Sequence, residues 1–85
     1  MPFKLPMGRV DLIDVGSRKL TIQTEFITQP SCRIETRVYL GGELKKVSAL
    51  EVDTEENQDL QQMLDEYHRA RVKEITDGLR RKIRD

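Results

Sequence analysis

The chain has 85 residues, the length of one small domain, and its fifteen basic and fifteen acidic residues give a formal net charge of zero. That balance argues against a general polyanion binder. One Cys excludes an intramolecular disulfide, and one Cys with one His excludes an ordinary structural Cys/His metal site. We therefore expect no cofactor. Because aromatic residues are few and the core must be thin, self-association is the remaining way for such a domain to gain stability.

The beginning of the chain is typical of a short lead-in followed by strands. Residues 1–8 hold two of the three prolines and lack the apolar stretch of a signal peptide, so we expect an extended start and a cytoplasmic protein without a membrane span. From Arg9 apolar and polar residues alternate, and a turn at Gly16-Ser17 leads to a second strand. The residues that share one face of this strand are Leu20, Ile22, Thr24 and Phe26.

A glycine pair marks a hairpin between the third and fourth strands, which complete an antiparallel region over residues 9–52. A two-residue loop at Gly41-Gly42 would pair Leu40 with the charged Glu43. A three-residue loop pairs Leu40 with Leu44 instead, so we expect that loop, with a glycine bulge. Further along, the same register pairs Ile34 with Leu50 and Arg33 with Glu51.

One long helix is predicted to follow, over residues 54–84. Asp53, with Glu56 three residues later, resembles a capping box, and Gly78 is the position where the helix could stop or kink. A helix of about 30 residues spans about 45 Å, whereas a strand of about nine residues spans about 30 Å. The helix should therefore overhang the sheet unless it breaks.

The two halves of this helix carry different apolar stripes. The first, from Leu60 to Tyr67, has the sheet as its natural partner. Members of the second recur at eleven-residue spacing, which stays close to one face of a nearly straight helix, and beyond the sheet they would be uncovered. The predicted interface residues are His68, Val72, Ile75, Leu79 and Ile83.

Charge is also divided along the chain, since residues 51–66 hold seven acids and no base, and residues 69–85 hold seven bases and three acids. One interpretation is that these charges complement the helix dipole and form local pairs such as Asp65–Arg69 and Asp77–Arg81. The other is an antiparallel helix pair across a two-fold axis, in which the acidic half of one copy faces the basic half of the other.

Neither candidate reactive residue has a partner that the sequence identifies. His68 would need a positioned partner to act as a general base, so a helix-surface or interface histidine is favoured. For Cys32, in the loop before the third strand, a partly buried structural thiol is favoured. We therefore expect no enzyme, and an enzyme or carrier that uses His68 or Cys32 is the second alternative function.

The densest basic cluster lies at the end of the helix and consists of Arg80, Arg81, Lys82 and Arg84. These residues could contact phosphates, and Lys45-Lys46 could add to them. Residues that stack on bases are scarce, so a solvated helix end is favoured over a nucleic-acid site. A small nucleic-acid-associated regulator is the first alternative function.

Three short stretches resemble a family of small uncharacterised bacterial proteins: Gln23-Thr24-Glu25-Phe26, residues 33–44 with the glycine hairpin, and Tyr67-His68. The resemblance implies a bacterial source and a compact strand-rich unit with a C-terminal helix. It implies no activity, because that family has no established function.

Together these patterns predict one α+β domain over residues 1–85, an antiparallel β-meander of three or four strands followed by one long C-terminal helix packed on the sheet. The function that they favour is a non-enzymatic protein–protein interaction module that forms a homodimer through its C-terminal helix. The sequence does not identify any further protein partner.

Overall fold

The structure, a computed structural model, describes residues 5–53 and 59–84, with side chains through residue 81. Four antiparallel strands form one sheet in their order along the chain, and a single helix follows them. The strands are β1 (Arg9–Val15), β2 (Arg18–Ile27), β3 (Arg33–Leu40) and β4 (Glu43–Glu51), and the helix is α1 (Leu60–Arg84). This confirms the predicted α+β meander with a long C-terminal helix packed on the sheet.

Alternation along the strands gives the sheet one face that α1 covers, the helix face, and one that it does not, the open face. Leu20 and Ile22 of β2 lie on the helix face, as do their cross-strand partners Leu40 and Val38 of β3. Leu12 of β1 lies on the open face instead. Which residues are buried therefore follows the predicted alternation.

The hairpin between β3 and β4 corrects the predicted loop. Gly41-Gly42 alone forms the turn, with positive φ at both glycines (60° and 87°), so Leu40 pairs with Glu43, and Leu44 lies on the opposite face from Leu40. The extra residue is Lys45, which forms a bulge within β4. Two consecutive glycines already suit a two-residue turn, so the irregularity falls in the strand and not in the loop. Beyond the bulge the predicted pairs are confirmed: Ile34 with Leu50 and Arg33 with Glu51.

The core lies between the helix face and α1 and has two clusters. At one end of the sheet the first half of α1 packs on the sheet, as predicted. The buried residues of this cluster are Ile34, Val52, Leu60 and Leu64, and Phe26, Met63 and Tyr67 pack against them. At the other end the cluster is Leu20, Ile22 and Val38, with Ile13, Val15, Leu40, Val72, Ile75 and Leu79 against it.

The described helix begins at Leu60 and has no break. The carboxylate Oδ1 of Asp59 accepts a hydrogen bond from the backbone N–H of Gln62 at 3.1 Å, which makes Asp59 the N-cap of α1. The predicted start at residue 54 and the predicted capping residue Glu56 lie outside the described residues. The helix continues through Gly78 to Arg84, so the possible break at this glycine does not occur.

The sheet covers the second apolar stripe of α1, and the prediction that this stripe lies beyond the sheet is wrong for Val72, Ile75 and Leu79. The 25 residues of α1 span about 37 Å, and the ten residues of β2 span about 33 Å, so the two elements nearly match in length. The expected overhang depends on a helix that begins at residue 54, six residues before Leu60. The side chain of Ile83 lies outside the described residues.

The strand β4 is the part of the sheet that α1 leaves free. Within the described residues, the helix contacts β1, β2 and β3 but not β4. The exposed fractions of Leu44, Val47 and Leu50 are 48%, 49% and 42%, with Leu44 and Val47 on the open face and Leu50 on the helix face. This strand is thus an edge strand with side chains exposed on both faces.

Charged residues recur along the whole of α1, which makes it too polar to cross a bilayer, and it is the single helix in the part of the chain that the structure describes.

Candidate functional site

A buried polar network connects α1 to the sheet around His68, which is 4% exposed. Its Nδ1 lies 2.7 Å from Oγ1 of Thr24, and its Nε2 lies 2.7 Å from Oδ2 of Asp11. Oγ1 of Thr24 lies 2.6 Å from Oγ1 of Thr36. One arrangement of protons satisfies every contact: Thr36 donates to Thr24, Thr24 donates to Nδ1, and Nε2–H donates to the carboxylate of Asp11.

The strand register explains why these side chains meet. Thr24 and Thr36 are direct cross-strand partners on the helix face, and Asp11 points to the same face from β1. His68 lies one turn after Leu64 and one turn before Val72, so the apolar stripe of α1 places its ring between the two core clusters. The network therefore fills the middle of the core with satisfied polar groups.

The order carboxylate, imidazole, hydroxyl is that of a nucleophilic triad, but burial decides against this chemistry. Thr24 is fully buried and Thr36 is 1% exposed, so a substrate has no access to either hydroxyl. The solvent-facing member is Asp11, at the opposite end from the candidate nucleophile. The prediction of a helix-surface or interface histidine is also wrong, because the ring is buried and both nitrogens are bound within the chain.

A second polar contact ties β1 to α1. The guanidinium of Arg9 donates to Asp65 from Nε to Oδ1 at 2.7 Å and from Nη2 to Oδ2 at 3.1 Å, and Gln61 donates to the same carboxylate. The hydrogen bond from Arg9, followed by that from Gln61, lowers the pKa of Asp65 from its ordinary value. The same pair raises the pKa of Arg9. Asp65 is thus bonded to another element and not to Arg69 on its own helix.

Two adjoining depressions lie along β1 and α1 and share Asp11 and Arg69. The larger, about 470 Å³, reaches Arg80 at the start of the predicted basic cluster. Lys73 in this depression is bound to Asp77 at 2.9 Å, and that hydrogen bond lowers the pKa of Asp77. Both depressions are lined by acids and bases together, with Asp11 and Arg69 common to the two.

The basic cluster itself is partly described. Arg80 and Arg81 are exposed, and the side chains of Lys82 and Arg84 lie outside the described residues. Within α1, Arg71 pairs with Glu74 at 3.0 Å and Lys73 with Asp77. Local pairing therefore accounts for part of the charge along the helix, whereas the helix pair across a two-fold axis stays a prediction.

The residue that carries the single thiol, Cys32, extends the backbone pairing of β3 with β4. Cys32 is partly buried, as predicted, and its carbonyl accepts a hydrogen bond from the N–H of Val52 at 3.1 Å. Among the described residues, no group of three His, Cys, Asp or Glu side chains is placed to hold a metal ion.

The other candidate site is the uncovered surface of the sheet. Two rows of side chains cross all four strands of the open face, and both have large apolar residues at their ends. The exposed fractions of Val10 and Leu12 on β1 are 56% and 59%, similar to those of Leu44 and Val47 on β4. The rows are Leu12, Thr21, Tyr39 and Leu44, and then Val10, Gln23, Arg37 and Val47.

Next to these rows the open face is charged. Glu35 is 8% exposed and lies between two arginines of its own strand, with contacts of 3.2 Å to Arg33 and 2.7 Å to Arg37. These bonds satisfy the carboxylate, and the bond from Glu35 raises the pKa of Arg37. The rows with exposed apolar ends thus adjoin a charged part of the open face, where Glu35 is paired with both arginines.

The outer edge of β4 presents backbone groups. The bond from Val52 to Cys32 makes these two residues a hydrogen-bonded pair of the antiparallel ladder. Hydrogen-bonded pairs alternate along a ladder, so Leu50, Ser48 and Lys46 direct their backbone groups toward β3. The residues that direct N–H and C=O outward are therefore Val47, Ala49 and Glu51.

Sequence reasoning missed the partners of His68, because Asp11 and Thr24 are 57 and 44 residues away from it. A signal was present in the pattern of the strands. Thr24 and Thr36 are polar residues within otherwise apolar faces, and a buried polar residue needs a partner.

No protein family, curated protein or solved structure matches the chain. The resemblance to small bacterial proteins around residues 23–44 stays a prediction.

Proposed function

We propose that the chain is a non-enzymatic protein interaction module that self-associates, and that its contact surface is the uncovered part of the sheet and not α1. One observation carries this proposal. The apolar stripe of α1 is partly buried against the sheet at Val72, Ile75 and Leu79, whereas the large apolar residues of β4 are exposed. Leu44 and Val47 lie in neighbouring rows of the open face, and exposed apolar patches often mark protein contact sites.

The small core supports the same proposal. Among the described residues seven apolar side chains are buried, and polar groups occupy the middle of the core around His68. A domain of this size buries only about 60–65% of its unfolded surface, so burial against another copy adds apolar contacts that the monomer lacks.

Light scattering of the intact chain at tens of micromolar tests self-association. We expect a mass near twice the 9.9 kDa of one chain. Replacement of Leu44 and Val47 by Ser should lower the dimer population, because both side chains lie on the proposed surface.

The matched control lies on the exposed end of the helix. Arg81→Glu should leave the mass unchanged, because Arg81 is exposed on α1 and remote from β4 in the sheet. A monomer at every concentration would refute self-association. A dimer that responds to Arg81→Glu and not to the changes in β4 would place the contact on the helix and refute the proposed surface.

A further inference from the structure

We infer that β4 pairs with β4 of a second copy about a two-fold axis through Ser48, which joins two four-stranded sheets into one sheet of eight strands. The inference rests on the proposed function. It specifies that the partner is a second copy of the chain and that the two β4 strands pair with Ser48 on the axis. It is carried by the free edge of β4, by the charges at its two ends and by the apolar side chains between them.

The free edge of β4 offers backbone hydrogen-bonding groups that suit another β-strand as the partner. Val47, Ala49 and Glu51 direct N–H and C=O groups outward, and the bulge at Lys45 restricts the regular edge to the stretch after it. An open, regular edge is a template for another strand, most simply the same edge of a second copy, because an isologous contact closes after two chains.

Charge selects the antiparallel direction. Lys45 and Lys46 lie at one end of the regular edge and Glu51 at the other. Antiparallel pairing sets the basic end of one strand against the acidic end of the other, twice by symmetry, whereas parallel pairing would oppose like charges. Lys45 now contacts Glu43 at 3.2 Å in an exposed pair, which is weak enough to exchange.

The two-fold axis restricts the register. A two-fold axis that pairs two antiparallel edges stands perpendicular to the sheet and keeps each face of the sheet on its own side. Paired residues must then lie on the same face, so they are an even number of positions apart in the chain. One residue on the axis therefore lies opposite the same residue of the second copy. With Ser48 on the axis, Val47 lies opposite Ala49 of the second copy, and both residues direct their backbone groups outward. Each of the two symmetry-related pairs then exchanges both of its N–H···O bonds.

Neighbouring registers are worse. An axis through Val47 would bring the bulge at Lys45 opposite Ala49, outside the regular part of the edge, and an axis through Ala49 would set the apolar Val47 opposite the charged Glu51. The register through Ser48 keeps every pair from Lys46 to Leu50 within the regular part of the edge.

The side chains next to the axis also fit this register. Lys46 lies opposite Leu50 of the second copy on the helix face, where its aliphatic stem can cover a side chain that is 42% exposed in the monomer. On the open face Val47, 49% exposed, lies next to Ala49 of the second copy. Pairing therefore buries apolar surface on both faces of β4, which α1 does not contact.

A charge swap on the axis tests the register. Ser48→Lys and Ser48→Glu each place like charges opposite one another in a homodimer, so we expect each variant alone to have a monomer mass in light scattering. An equimolar mixture should recover the dimer mass, because Lys then faces Glu, and this recovery also shows that both variants fold. Ala70→Lys and Ala70→Glu are the matched controls at an exposed position of α1, and both should remain dimeric.

A cross-link gives a second readout that does not depend on repulsion. In the proposed register the two Ser48 residues form a non-hydrogen-bonded pair with Cα atoms about 4.5 Å apart, within disulfide range. Ser48→Cys, in a Cys32→Ser background, should form a covalent dimer under mild oxidation. Lys46→Cys in the same background is the control, because two such residues lie about 13 Å apart along the paired strands.

Each outcome decides something. If the Ser48 variants remain dimeric, or if positions 48 and 46 cross-link equally, the pairing of β4 is overturned. In that case a dimeric wild-type chain still supports the proposed function. A monomeric wild-type chain would overturn both. A mass that keeps rising with concentration would indicate pairing of β4 with β1 of the next copy and would overturn the two-fold arrangement.

Discussion

Nε2 of His68 lies 2.7 Å from Oδ2 of Asp11, although the two residues are 57 positions apart in the chain. This hydrogen bond joins the middle of α1 to the edge strand β1, and the other ring nitrogen is bound to Thr24 of β2. Polar contacts thus hold α1 on the sheet between two apolar clusters. The inner face of the helix is therefore used within the domain.

Removal of the Thr24 hydroxyl should weaken the fold. In Thr24→Val the shape is nearly kept, but Nδ1 of His68 and the hydroxyl of Thr36 each lose a buried hydrogen-bond partner. We expect the free energy of unfolding in denaturant to fall by about 1–3 kcal/mol. Thr21→Val, on the open face of the same strand, should change it by less than about 0.5 kcal/mol. Equal effects would show that the network does not stabilise the domain.

The second stripe of α1 should behave as core. Ile75 packs against the cluster of Leu20, Ile22 and Val38, so Ile75→Ala should lower the free energy of unfolding by about 1–3 kcal/mol. Leu12→Ala, on the open face with a side chain 59% exposed, should change it by less than about 0.5 kcal/mol. Both are measured at low protein concentration, where association does not contribute. A negligible effect of Ile75→Ala would mean that the sheet does not use this stripe.

Gly78 is a site for stabilisation. The helix is continuous through it, and an added Cβ would meet nothing within 4 Å. Gly78→Ala should raise the free energy of unfolding by about 0.5–1 kcal/mol, since alanine loses less backbone entropy in a helix. Gly42→Ala is the contrasting variant: it should destabilise the fold, because Gly42 has a φ of 87°. A destabilising Gly78→Ala would argue for a break in the helix.

The pair of Arg9 and Asp65 should make stability depend on pH. Because the hydrogen bond from Arg9 lowers the pKa of Asp65 in the folded state, the ionised carboxylate stabilises the fold above the unfolded pKa. This stabilisation is lost as the pH falls through the lower, folded pKa. The difference in free energy of unfolding between wild type and Arg9→Gln should therefore be largest near neutral pH and shrink below about pH 4.

Arg18→Gln, an exposed change at the start of β2, is the control for this titration and should differ from wild type by the same amount at each pH. If Arg9→Gln shows the same flat profile, the pair does not set the pKa of Asp65.

Local patterns in the sequence predicted the strands and their faces. The alternation from Leu20 to Phe26 and the glycine pair at positions 41 and 42 correspond to β2 and to the β3–β4 turn. These features depend on neighbouring residues, so a single sequence carries them. The bulge at Lys45 was placed in the loop instead, because both positions give the same pairing of Ile34 with Leu50.

Long-range features were harder to predict. The contact of His68 with Asp11 and the position of α1 across three strands depend on how the elements are arranged in space. The expected overhang depends on a helix start at residue 54, whereas α1 as described begins at Leu60 and nearly matches β2 in length. The free edge of β4 could not be inferred either, because the alternation of a strand does not show which strands lie under a helix.

Amide hydrogen exchange along β4, followed residue by residue by NMR, tests the central claim most directly. Ser48 and Lys46 bond to β3 in every case, so their amides serve as internal controls. If β4 pairs with a second copy, the amides of Val47 and Ala49 should be protected as strongly as these controls at high protein concentration and should lose that protection on dilution. Fast exchange of Val47 and Ala49 at every concentration, beside protected Ser48 and Lys46, would contradict the pairing.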